Sequence, residues 1–290
     1  MTKNVGSIRF DLKPTPALRF KYLFKPNFTL VRRTNSLSYN NRTDEYELNW
    51  APFRELSTGL TYRLGSSLTI DKTDYPDLKR EKDRSDTKTT LITLKMAPHR
   101  IISNELNYLV EDILGSTLSS DAVSYLKTSG STKKFDAILR TSLAERISVD
   151  TTYTFEKVDQ LSDISTSNIL TQTHTASIKG LWDINENWSV SASSAYSRKL
   201  DLLATASPET YTFSPGAGFI FRWGRELRVD ANYTFSKSYA GATTEKYKWS
   251  LQGRYDMYEN VHLTLRFEQE ISHAPDYKST DFMGNLEITL

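Results

Sequence analysis

The feature that most constrains this chain is an alternation of apolar and polar residues with period two, running almost from end to end. Ile147, Val149, Thr151, Tyr153 and Phe155 alternate with Ser148, Asp150, Thr152 and Thr154. Successive side chains of a strand point to opposite faces, so this segment has one apolar face and one polar face. The pattern returns at 226–239, where Leu227, Val229, Ala231, Tyr233 and Phe235 oppose Arg228, Asp230, Asn232, Thr234 and Ser236, and again at 261–271. Segments 18–30 and 56–70 are longer versions. Wound into helices, such segments would carry charge around the whole cylinder. The chain reads as all-β.

Connections alternate between short and long. The short ones fall at 13–16, 51–54, 97–100, 144–145, 185–187, 224–225 and 258–260, where Pro, Asn and Gly supply turn backbone. The long ones include 73–85, 115–133 and 159–170, all polar and rich in Ser, Thr and Asp. The strands between them are longer than the roughly five or six residues usual in a soluble β-sandwich, which is the alternative fold. No apolar run approaches the roughly 18 residues of a membrane helix. Mean hydropathy is −0.51. Only alternate residues of a barrel strand meet lipid, so a low mean is compatible with spanning a bilayer. Short turns at one end and long loops at the other predict an antiparallel, up-and-down transmembrane β-barrel of about 14–16 strands.

Aromatic placement agrees with that reading. Trp50, Trp182, Trp188 and Trp223 lie beside short turns, while Tyr153 and Tyr233 lie towards the long loops. Amphipathic rings settle at membrane–water interfaces, so two belts are expected. Charged residues fall on the other register, Arg63, Asp150, Arg228, Asp230, Arg254, Arg266 and Glu268 among them. A charge on the lipid face near midplane costs about 2–4 kcal/mol, so these side chains are expected to line the lumen. Both signs are present, which predicts a wet or ion-paired wall rather than a strongly selective ring. The chain has 37 basic and 35 acidic residues, a net charge of +2, and gives no field suited to nucleic acid.

The segments 4–12, 16–33, 43–51, 55–72, 86–96, 100–114, 132–142, 146–158, 171–183, 187–200, 207–222, 226–240, 244–256, 260–273 and 277–290 read as strands. Bacterial barrels usually have an even number. With an odd number, 4–12 starts at the long-loop end. Either 4–12 is left over from an upstream hairpin and 14 strands close, or residues 1–290, read as a single barrel domain, are the C-terminal part of a larger barrel; the second is the expectation. No apolar stretch follows Met1, so no signal peptide is read.

The end of the chain, with Phe282, Gly284, Leu286, Ile288 and Leu290 on alternate positions, resembles the C-terminal assembly signal of outer-membrane proteins. Leu290 stands where that signal normally has an aromatic residue. The hairpin repeat, seen best from Asn49-Trp50-Ala51-Pro52-Phe53-Arg54 to Tyr62, is similar to large porin-like barrels. One such family is the barrel that sheathes multihaem cytochromes. TonB-dependent receptors are another class of large barrel, although no plug domain is visible. The resemblance implies a bacterial outer-membrane location. It also implies contact with outer-membrane lipid, handling by the barrel-assembly machinery, and a channel-like transport role. A sheath around a protein partner in the lumen is the alternative.

An enzymatic role finds little in the sequence. There is no cysteine, which removes thiol nucleophiles, disulfides and Cys-ligated metals. The four histidines, His99, His174, His262 and His273, have no metal-ligand spacing, and no outward Ser–His pair is found. No cofactor is expected.

Overall fold

The computed structural model describes residues 2–30, 38–71, 80–118, 125–163, 168–204, 209–224, 226–240, 242–258, 261–273 and 275–288. They form one antiparallel sheet. Its strands are β1 (Thr2–Val5), β2 (Ile8–Thr15), β3 (Leu18–Leu30), β4 (Ser38–Phe53), β5 (Leu56–Asp71), β6 (Arg80–His99), β7 (Ile102–Leu118) and β8 (Tyr125–Ala144). They continue with β9 (Ile147–Ser162), β10 (Ile169–Asp183), β11 (Trp188–Asp201), β12 (Glu209–Trp223), β13 (Leu227–Ala240), β14 (Ala242–Tyr258), β15 (Val261–His273) and β16 (Tyr277–Ile288). Each strand from β3 onwards pairs with its sequence neighbours, and no helix occurs among the described residues. β1 and β2 both pair with β3, so the 16 strands occupy fifteen positions. The expected segment 4–12 is therefore one strand interrupted at Gly6 and Ser7. The expected pairing of the last two strands is present as β15–β16.

Three of the expected loops are partly strand. β6 begins at Arg80, β7 runs to Leu118 and β8 begins at Tyr125, so much of 73–85 and 115–133 is paired backbone. β9 likewise runs to Ser162 and β10 begins at Ile169, shortening 159–170. The polarity of these stretches marks where the apolar alternation stops. It does not mark where pairing ends, because a ladder satisfies its N–H and C=O groups whatever its side chains are.

The short turns are tight. Pro16–Ala17, Arg54–Glu55, Arg100–Ile101 and Glu145–Arg146 each join two long strands. Before three of them the register slips, between Leu12 and Thr15, Trp50 and Phe53, and Met96 and His99. Each slip contains a proline, Pro14, Pro52 or Pro98. Proline cannot donate to the ladder, so a bulge at the strand end accommodates it. Gly224 has φ of 59°, the left-handed conformation that a tight turn demands and glycine adopts at least cost. The expected turns at 224–225 and 258–260 extend outside the described residues, at Arg225, Glu259 and Asn260.

The registers give the strand tilt. One ladder row, perpendicular to the strands, runs Tyr22–Tyr46–Tyr62–Thr90–Val110–Lys133–Lys157. Tyr22 stands five residues beyond the turn residue Ala17, whereas Lys157 stands eleven beyond Arg146. The row thus climbs six residues, about 20 Å, over six strand spacings of about 4.8 Å each. That slope corresponds to strands tilted by about 35°, the range of closed membrane barrels. The same row passes from ring side chains to lysines, so it leaves the apolar band as it climbs.

Candidate functional site

The sheet has two chemically distinct faces. On one face of β13, Leu227, Val229, Ala231, Tyr233 and Phe235 lie across from Tyr255, Gly253, Leu251, Trp249 and Tyr247. That face continues through Leu263, Leu265 and Phe267 to Leu286, Gly284 and Phe282. In the other direction it runs through Trp223, Phe221 and Phe219 to Trp188 and Val190. No hydrophobic side chain among the described residues is buried, and Trp223 and Phe282 are 70% and 74% exposed. A soluble protein would cover such a face; here it is the surface presented to lipid.

Trp50, Trp182, Trp188 and Trp223 share this face at the short-turn end, and Tyr153 and Tyr233 share it at the other end. The rings pack on one another. Trp188 lies 4.3 Å from Phe221, Tyr233 lies 4.2 Å from Trp249, and Phe235 lies 5.0 Å from Tyr247. Phe282, Gly284 and Leu286 also fall on this face, and Ile288 pairs with Val261. Leu290 lies outside the described residues.

The opposite face is polar and laced with ion pairs. Arg228 forks onto Asp230 through two hydrogen bonds of 2.8 and 2.9 Å. Arg63 Nε donates to Glu45 at 2.8 Å, and Lys21 Nζ lies 2.5 Å from Glu47. Glu268 takes two cations, Arg266 at 2.5 Å and Lys248. Arg254 Nε donates to Asp256 at 2.9 Å, and His262 Nδ1 shares the same carboxylate at 2.6 Å. Asp150 sits across from Arg140 and Lys179. Near it, at the short-turn end, a cavity of about 800 Å³ is lined by Arg54, His99, Arg100, Arg140 and Asp150. The charged residues singled out from the sequence therefore lie on one face, although they spread along it and do not converge on a pocket.

From Ser191 to Ser197 on β11 and from Thr212 to Ile220 on β12 the polar face carries no charge. Ser189, Ser191, Ser193 and Ser197 run along β11, and Gly216 and Gly218 lie opposite Ser193 and Ser191. A Cβ on Gly218 would come within 2.5 Å of Ser191 Oγ and 2.7 Å of Asn232 Oδ1, so these glycines mark close approach of neighbouring side chains. Ser189 is fully buried between Asp183, whose Oδ1 accepts from it at 2.5 Å, and Arg222, which donates to it at 3.0 Å.

A second set of charges escaped the sequence reading. On the apolar register but beyond the aromatic belt stand Arg42, Asp44, Arg84, Asp86, Lys133, Lys157, Lys237 and Glu245. Asp44 is only 5% exposed and accepts from Tyr22 Oη at 2.9 Å and Arg42 Nε at 2.8 Å. Lys237 Nζ lies 2.7 Å from Glu245. The hydrogen bond between them raises the lysine's pKa and lowers the carboxyl's. Counting from the short turns would have found this tier, because several strands are polar on both faces beyond the rings.

The histidines are held by local partners. His174 Nδ1 meets Tyr153 Oη at 2.9 Å on the apolar face, and His99 Nδ1 accepts from the backbone of its own turn. His273 faces Asp276. No group of His, Asp and Glu suited to a metal occurs among the described residues.

No protein-family model matches the chain, and no curated protein sequence matches it. Solved structures do. The iron transporter FrpB from Neisseria meningitidis superposes with a TM-score of 0.75 at 7% identity, covering 98% of this chain and 56% of that one. The ferric enterobactin receptor PfeA from Pseudomonas aeruginosa gives 0.72 at 9% identity, covering 93% and 50%. The alcaligin outer-membrane receptor FauA from Bordetella pertussis gives 0.66 at 11% identity, covering 97% and 56%. The chain spans about half the length of these structures. Its fold is that of bacterial outer-membrane β-barrels, and it has the two-faced sheet that an outer-membrane location requires. The similarity to cytochrome-sheathing barrels finds no support in these neighbours, which are receptors and transporters.

Proposed function

We propose that the chain forms the wall of an outer-membrane transport barrel whose polar face lines the lumen. The observation that carries this reading is the pairing of opposite faces: one clad in exposed rings and aliphatics, the other in ion-paired, wet side chains. A wall with both charge signs suits a bulky hydrophilic cargo better than an ion-selective pore. The neighbours' names, an iron transporter and receptors for ferric enterobactin and alcaligin, favour a ferric chelate as that cargo. The sheath alternative draws on no comparable observation.

Closure follows from strand direction. β2 and β16 both run from the long-loop end to a short-turn end. They cannot pair antiparallel, and among the described residues they do not pair at all. Unpaired edges are costly in lipid. We propose that an odd number of further strands completes the barrel, in keeping with neighbours about twice as long. The alternation ending in Phe282, Gly284 and Leu286 is proposed as the segment read by the assembly machinery.

The test is uptake of radiolabelled ferric siderophores by cells expressing the full-length protein, alongside conductance in planar bilayers. Energy-dependent uptake with low conductance is expected. A large, steady conductance without chelate uptake would replace this reading with an open porin. Co-purification of a haem protein would replace it with the sheath.

A further inference from the structure

The charged tier above the aromatic belt contains one arrangement that local physics disfavours. Lys133 on β8 and Lys157 on β9 are direct cross-strand partners on the apolar register. Like charges placed opposite one another destabilise an antiparallel pair. Other members of the tier have carboxylate partners: Arg42 with Asp44 at 2.8 Å, Arg84 with Asp86 at 3.0 Å, and Lys237 with Glu245 at 2.7 Å. Neither Lys133 nor Lys157 reaches a carboxylate within ion-pair distance among the described residues. Directly beneath them, one position nearer the short turns, Phe135 faces Phe155. The ring of His174 lies 4.8 Å from that of Phe155, and Tyr153 follows. Two unpartnered ammonium groups thus stand on a platform of interfacial rings, at the end of the strands that carries the long loops.

We propose that Lys133 and Lys157 clamp the phosphate of an anionic lipid headgroup in the outer leaflet, one whose charge no choline or amine of the same headgroup cancels. An anion between the two lysines would turn a repulsive pair into two charge-assisted hydrogen bonds. The platform fixes the depth. Phe135 and Phe155 end the apolar band, so the ammonium groups extend into the layer where headgroup phosphates lie. The continuity of this face with the lipid-facing band selects a membrane lipid over a soluble partner. The inference rests on the outer-membrane fold and does not depend on what the barrel transports.

The expected signature is a change of sign. In neutral detergent, Lys157→Gln should unfold at the same or a higher temperature than the parent, because repulsion is relieved. In bilayers containing phosphatidylglycerol it should unfold at a lower temperature than the parent, and the difference should vanish in phosphatidylcholine with the same acyl chains. Native mass spectrometry of the full chain should show retained phosphatidylglycerol falling about a hundredfold in Lys133→Gln/Lys157→Gln, the scale of two charge-assisted hydrogen bonds. Lys179→Gln, on the polar face, should retain lipid as the parent does. Equal destabilisation of Lys157→Gln in detergent and in both lipids would show a purely structural lysine and overturn the proposal. So would equal lipid loss in Lys179→Gln, or stabilisation by inorganic phosphate as strong as that by phosphatidylglycerol.

Discussion

Substituting arginine along the apolar face of β10 should produce a cost that depends on depth. Trp182, Gly180, Ile178, Ala176 and His174 occupy this face in order from the short-turn end. Trp182 to His174 spans eight residues, about 27 Å along the strand and about 22 Å along the membrane normal at a tilt of about 35°. That approaches the roughly 25 Å apolar band of an outer-membrane barrel. Ile178 is central and 50% exposed. Ile178→Arg should therefore cost about 2–4 kcal/mol, a 30- to 900-fold loss in the folding equilibrium. Trp182→Arg and His174→Arg lie at the interfaces, where the lipid cost of the arginine itself is about 0–1 kcal/mol. Lys179, next to Ile178 but on the opposite face, already carries a charge. Reversible unfolding of the full-length protein from liposomes in denaturant would measure the series. A flat profile, or a cost for Ile178→Arg no larger than that for His174→Arg, would refute the assignment of this face to lipid.

Three further outcomes follow. Gly224→Ala should destabilise by about 1–2 kcal/mol, because the turn holds φ at 59°, and denaturant midpoints would show it. Glu268→Gln removes the carboxylate shared by Lys248 and Arg266. Stability should change by under about 1 kcal/mol, as both cationic partners are about half exposed, while ligand or ion passage shifts towards anions in reversal-potential measurements. Phe221→Ala removes a ring packed against Trp188 and Trp223, and the lost aromatic pairing should add about 0.5–1.5 kcal/mol per pair to the loss of apolar area.

Much of this architecture can be read from residue order alone, because a period of two ties every side chain to a face. Arg228 and Asp230 could not be moved to the other face without sending Val229 and Ala231 there as well. The extents of the strands were hidden for a related reason. At 115–133 the alternation gives way to a mostly polar stretch, and composition cannot tell a polar strand outside the bilayer from a loop. Lys133 and Lys157 share a face with Phe135 and Phe155 yet belong to the charged tier beyond the rings, which only a count from the turns reveals. Which charges would pair was equally hidden. Lys248 and Glu268 are twenty residues apart in sequence and become diagonal neighbours only through the β14–β15 register. The interruption at Gly6 and Ser7 has no counterpart in the alternation that could have announced it.

The central claim, a tilted sheet with lipid on one face that ends at a definite height, is tested most directly along β13. These 290 residues contain no cysteine, so single cysteines at 227–239 add the only spin-label sites within them. In bilayers, labels at 227, 229, 231, 233 and 235 should be accessible to oxygen, and those at 228, 230, 232 and 234 to a water-soluble relaxant. From 237 onward both registers should face water. Loss of the two-residue period below Phe235, or oxygen accessibility persisting through Lys237 and Tyr239, would contradict the account.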